Sequence, residues 1–182
     1  SAAMQIDASG APDEVTGKPD AGIDVSPSLP GSRYRVLALA VGRLHNCVIL
    51  DDHKVKCWGN NASGELGLGD TMNRGANSAT MGDNLPTVDL GTGRTAKAIA
   101  TGMYTSCAIL DDDTLKCWGN GVGEAPGDMG DHLRPIDLGA GRKPVAVAIG
   151  WSQICAALDD ASFLCWSGAA TTKVAAAADG AR

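Results

Sequence analysis

The sequence has no basic cluster, no long apolar run and few aromatic side chains, and each lack closes off a class of function. Fifteen Lys and Arg stand against 21 Asp and Glu, a net charge of -6. A protein that grips a phosphate backbone concentrates cations on one face, so nucleic acid is not an expected partner. No apolar stretch approaches the ~18 residues needed to span a bilayer, so no membrane span is expected. Nor does an apolar leader precede Met4; any signal peptide is expected to be already removed, with Ser1 to Met4 a processing remnant or cloning scar. Aromatics make up 4 % of the chain and include a single Phe, which argues against long, tightly packed helices. The 24 Gly favour short strands and tight turns instead, the composition of an all-β protein.

Large apolar residues are also scarce at the beginning of the chain. Residues 1–32 hold Asp7, Asp13, Glu14, Asp20 and Asp24, broken by Gly10, Pro12, Gly17, Pro19, Gly22, Pro27 and Pro30. Such a segment buries too little surface to offset its ordering entropy, and it reads as a flexible acidic tether.

From residue 33 onward the chain repeats itself. Val41-Gly42-Arg43-Leu44-His45-Asn46-Cys47 aligns with Thr101-Gly102-Met103-Tyr104-Thr105-Ser106-Cys107 and with Ile149-Gly150-Trp151-Ser152-Gln153-Ile154-Cys155. Each block runs through a Leu-Asp-Asp turn to a second Cys and a Trp: Cys57-Trp58, Cys117-Trp118 and Cys165-Trp166. The first Cys of successive repeats lie 60 and then 48 residues apart, the second spacing being near the period of a propeller blade. Short apolar runs such as Val36 to Val41, Cys47 to Leu50 and Val55 to Trp58 predict strands. A fourth strand is predicted at Pro86 to Gly91 and at Pro135 to Gly139, while the third repeat lacks that element and its fourth strand is doubtful. The expected architecture is therefore all-β, three four-stranded antiparallel blades over about 35–91, 96–139 and 144–176.

The run Cys57-Trp58-Gly59-Asn60-Asn61-Ala62-Ser63-Gly64-Glu65-Leu66-Gly67-Leu68-Gly69-Asp70 resembles the signature of RCC1-type (regulator of chromosome condensation) repeats. Cys117-Trp118-Gly119-Asn120 and the Gly42-x-x-His45 spacing are similar to it as well, and in the third repeat Trp166-Ser167-Gly168 departs from it. The resemblance implies a β-propeller in which seven blades usually close a ring. Three blades would form an incomplete ring with open blade edges and faces, so further blades or copies of the chain are expected to complete it.

Six cysteines allow 15 pairings. A hairpin centred near Asp52 sets Cys47 opposite Cys57, and the same construction sets Cys107 opposite Cys117 and Cys155 opposite Cys165. Directly opposed residues lie within disulfide reach, so these three pairs are the expected bridges. The alternative is three pairs of buried reduced thiols in a cytosolic protein. Bridged, the cysteines imply an extracytoplasmic compartment, secreted, periplasmic or at the cell surface. The spacing offers no zinc knuckle.

No catalytic residue, metal site or cofactor is expected. His45 is read as structural, with Tyr104 and Gln153 in similar positions of the other repeats. The Asp pairs at 51–52, 111–113 and 159–160 recur at one place in every repeat and read as turn residues. The Gly-rich run 64–69 lacks the Lys-Ser/Thr ending of a phosphate loop, and no serine elbow is present. Two long loops remain, and Met72, Asn73, Arg74, Met81, Met129, His132 and Arg134 are the candidate partner contacts. The expected function is non-catalytic protein binding or self-assembly. An alternative is a propeller fragment that binds or inhibits a different protein through its loops, as the resemblance to a β-lactamase-inhibiting member implies. Guanine-nucleotide exchange, implied by the founding member, fits paired cysteines poorly.

Overall fold

Each repeat folds as a small antiparallel sheet whose strands follow the apolar runs. The computed structural model describes residues 34–122, 127–151 and 153–167, and the backbone of 174–177. The tether at 1–32 and most of the Ala-rich end lie outside the described residues. Strands β1 (Val36–Val41), β2 (His45–Leu50) and β3 (Val55–Gly59) form the first sheet. The second holds β4 (Ala96–Thr101), β5 (Thr105–Leu110) and β6 (Leu115–Gly119). The third holds β7 (Pro144–Ile149), β8 (Ile154–Leu158), β9 (Ser162–Trp166) and β10 (Val174–Ala177). Register repeats as well: Cys47 faces Cys57, Cys107 faces Cys117 and Cys155 faces Cys165, and each first strand carries a bulge at the same place, between Val36 and Ala38, Ala96 and Ala98, and Pro144 and Ala146.

The Asp pairs form the hairpin turns. His53, Asp113 and Ala161 take the left-handed conformation, and the side chains of Asp52, Asp112 and Asp160 each accept the amide two residues on, from Lys54, Thr114 and Ser162. A short acceptor on the side chain closes such a turn locally, which is why Asp recurs there.

The expectation of four-stranded blades is corrected in the first two repeats, whose sheets have three strands each. Val88 and Ile136 each donate one amide bond to the neighbouring strand, at Val55 (2.8 Å) and Leu115 (2.7 Å), but no ladder follows. Pro86 and Pro135 have no N–H to give, and Asp89 and Asp137 bond the amides of Gly91 and Gly139, bending the chain away. Leu90 and Leu138 then turn into the cores. The fourth strand occurs in the third repeat, where the missing Pro-x-x-Asp-Leu-Gly element had made it doubtful: β10 pairs with β9 from Val174–Cys165 to Ala177–Ser162.

The cores lie between blades rather than within them. One gathers Cys47, Ile49, Val55 and Cys57 of the first blade against Ala108, Leu110 and Trp118 of the second. The other gathers Cys107, Ile109, Leu115 and Cys117 of the second against Ile154, Ala156, Leu158, Leu164 and Trp166 of the third. Every blade thus has a leading face, turned toward the preceding blade, and a trailing face that carries its cysteines. Burying each large apolar side chain at such a joint contributes roughly 1.5–3 kcal/mol.

Candidate interaction site

The six cysteines form three disulfides, Cys47–Cys57, Cys107–Cys117 and Cys155–Cys165, with Cα atoms 4.1, 4.0 and 4.1 Å apart, and no described cysteine is free. Each bridge staples two neighbouring strands of one hairpin at a directly opposed pair.

His45 is buried at the first joint. Ser106 donates its hydroxyl to the Glu65 carbonyl (2.9 Å) and accepts from His45 Nε2 (2.8 Å), and the Trp118 indole donates to the same carbonyl (2.9 Å). This arrangement fixes the ring proton on Nε2 and leaves Nδ1 buried without a bond. Burial lowers the His45 pKa to about 4, so the ring is neutral near neutral pH and suited to holding a joint. Its counterpart in the second repeat is Thr105 rather than Tyr104, since Thr105 opposes Gly119 as His45 opposes Gly59.

The loop after β3 is organised by the buried Asn61. Its amide donates to Asp70 O (2.9 Å), Asp70 Oδ1 (3.1 Å) and Met72 O (3.1 Å), and its carbonyl accepts from Leu66 (2.9 Å). Burial opposes ionisation of Asp70, but the bonds from Met72, Arg74 and Asn61 outweigh it and the carboxyl lies below its usual range.

Several of the expected loop contacts also take part in holding the loop and the core together. Asn73 Oδ1 accepts the Asn61 backbone N–H (2.8 Å), and Arg74 pairs with Asp70 (2.7 Å) while its backbone bonds Gly59. Met129 is buried in the first core. Met72 and His132 are exposed, Met81 packs beside Gly75, and Arg134 lies exposed just beyond the short helical turn 130–132. Arg74, Met129 and His132 do come together, around a cleft of about 470 Å3 that Asp70 and Asp89 also line.

A different cluster stands out at the other loops. The β1–β2, β4–β5 and β7–β8 connections converge, and Arg43 donates its amide to Gly102 O (3.1 Å), reaches Met103 Sδ (3.6 Å) and lies 4.9 Å from the Trp151 ring centre. Trp151 is 72 % exposed. Beside it Tyr104, Asn120, Val122 and Ile154 line a cleft of about 440 Å3. Sequence reasoning passed over these residues. The available signal was their position: Arg43, Met103 and Trp151 all follow the repeated Gly directly, and three large side chains at one repeat position fall on one end of the array.

Residues 36–65 and 96–122 match the family model of the regulator of chromosome condensation (RCC1) repeat. These are RCC1 repeats. The third repeat, where Ser167 stands in place of the Gly after Trp, keeps the same strand register. Among solved structures, the chain is similar to yeast RCC1 (Prp20) seen with Kap60, at 20 % identity and a TM-score of 0.52, covering 72 % of this chain and 32 % of that one. It is similar also to Prp20p from Saccharomyces cerevisiae, characterised for its binding to Gsp1p and histones, at 20 % identity and a TM-score of 0.54, covering 72 % and 33 %. These likenesses concern the propeller fold, and the chain spans about a third of the length of these relatives. Among the described residues no helix is long and apolar enough to cross a membrane, and no His, Cys, Asp and Glu side chains cluster to hold a metal ion.

Proposed function

We propose that this RCC1-repeat chain is a non-catalytic protein-binding module of an extracytoplasmic compartment, with its contact surface at the convergent loops after β1, β4 and β7. The arrangement of Arg43 on Met103 and Trp151 carries the reading. Trp, Tyr and Arg dominate the energetic centres of protein interfaces because they bring large contact area with a polar handle. Here their positions are set before binding, which lowers the entropy lost on association. Three disulfides support the oxidising compartment.

The test is site-specific photocrosslinking in the native compartment, with the crosslinker at Asn120, exposed in the cleft beside Trp151, or, as a control, at Arg134. A product from position 120 should be competed by excess wild-type chain and not by the Arg43→Ala, Trp151→Ala double variant. Equal products from both positions, or equal competition by the double variant, would remove this surface as the contact.

A further inference from the structure

The chain shows the same blade-to-blade joint twice, and among the described residues the inner part of its leading half on the first blade and its trailing half on the third are exposed. In the second and third blades, Ile99 and Val147 of the first strand pack into the joint made with the preceding blade. The residue at that position of the first blade is Leu39, set by the shared register to the cysteines, and it is 61 % exposed; Val41, the counterpart of buried Thr101 and of packed Ile149, is 69 % exposed. The outer half of this leading face is covered by the chain's own loop, where Gly75 meets Trp58 and Lys56 bonds Gly82 O (2.8 Å). The inner half stands bare.

The trailing face of the third blade is the complementary half. Where Ile49, Val55 and their disulfide are buried in the first joint, Ala157 and Phe163 are exposed around a half-buried Cys155–Cys165. The glycines at the strand ends tell the same story. A Cβ on Gly42 would strike Gly102 O at 2.4 Å, and one on Gly102 would strike Ile149 at 2.4 Å. At Gly150 the nearest atom is Gln153 O at 3.7 Å, so the place a following blade would occupy is open. A backbone contact would continue the pattern: Ala96 donates its amide to His53 O (3.0 Å) across the first joint, and Ala161 shares the left-handed turn conformation of His53.

We propose that a second copy of this chain docks head to tail, the leading face of its first blade seated on the trailing face of the third blade, with Leu39 and Val41 against Phe163 and the Cys155–Cys165 bridge. In this contact Val36 N–H of one copy meets Ala161 O of the other. The occupant follows from the joints already present, which join the same two faces at the same register. Such a contact is heterologous, so each copy keeps one free half. The proposal rests on the protein-binding reading and names one partner for it, through a surface centred on Leu39 and Phe163 that borders the Arg43–Trp151 cluster without using its side chains.

Sedimentation velocity and native mass measurement of the full chain at micromolar concentration provide the test. The wild type should read as two or more copies. Leu39→Lys, a head variant, and Phe163→Lys, a tail variant, should each read as one copy, with dissociation constants raised more than roughly tenfold. Mixed in equal amounts they should form a particle of two copies and no more, because one intact head meets one intact tail. If Phe163→Lys fails to fold, Gly150→Val takes its place, since a Cβ there makes only an ordinary contact, with Gln153 O at 3.7 Å, in the free chain. A monomeric wild type, association that survives either variant, or a mixture of folded variants that stays monomeric would overturn the proposal. The Arg43→Ala, Trp151→Ala variant should associate like wild type; if it alone dissociates, the copies meet through the loop cluster and the head-to-tail contact is wrong while protein binding stands.

Discussion

The joint between the first and second blades and the joint between the second and third share one backbone register and are filled differently. In the first, His45 donates to Ser106, and Ser106 and Trp118 both donate to the Glu65 carbonyl delivered by the Gly-rich loop. In the second, the same two positions hold Thr105 and Ile154; Thr105 bonds Asn120 O (3.3 Å) within its own blade, and Ile154 belongs to the core. What the second joint has instead is an ion pair at the rim, where Lys143 reaches from the third blade to Asp113 of the second (3.0 Å). The repeat dictates where two blades touch, and the side chains decide whether the contact is titratable, apolar or salt-sensitive.

The sharpest way to break the comparison is to empty the first joint. Trp118 is 2 % exposed, fills the first core and donates to Glu65 O, whereas Trp58, at the same repeat position, is only half-buried. Trp118→Ala should cost about 3–5 kcal/mol. Trp58→Ala should cost clearly less. Denaturant unfolding followed by far-UV circular dichroism measures both, and equal losses would mean that the two positions are not distinguished by the blade that covers them.

The next effect is acid sensitivity confined to the first joint. His45 has a folded pKa of about 4, below the ordinary value of 6.5, so between those limits the unfolded chain binds more protons than the folded one. Stability from this group is therefore fully present above pH 6.5, falls as the pH drops to about 4 and is lost no further below it. The total is at most about 3 kcal/mol. His45→Gln, the residue found at the matching place in the third repeat, should flatten that window in a series of urea midpoints. A wild type with no slope there would show that the ring keeps its ordinary affinity for protons.

How much of this was legible in the sequence depends on the range of the forces involved. Strand positions, hairpin turns and the opposition of Cys47 to Cys57 follow from alternation and turn chemistry within some ten residues. The lost fourth strand is a local effect too, since Pro86 and Asp89 already signal a chain that leaves the ladder. The His45–Ser106 bond joins residues 61 apart, and the Arg43–Trp151 stack joins the first blade to the third; only the packing of blades brings them together. Met129 looked like a free loop contact for the same reason, because its burial depends on a neighbouring blade.

The smallest expected effect separates the second joint from the first by salt. The Asp113 carboxyl lies below its usual range through its bonds first to Lys97 and then to Lys143, and its burial is slight, so solvent screens both partners. Asp113 also holds a left-handed backbone conformation that Asn tolerates, which makes Asp113→Asn a change of charge more than of shape. At low ionic strength the variant should unfold at slightly lower urea than wild type. Near ~1 M salt, where the screening length shrinks to about 3 Å, the two curves should merge. A deficit that persists at high salt would locate the contribution of Asp113 in its left-handed turn position, shared with His53 and Ala161, and would leave the second joint held by its apolar core alone.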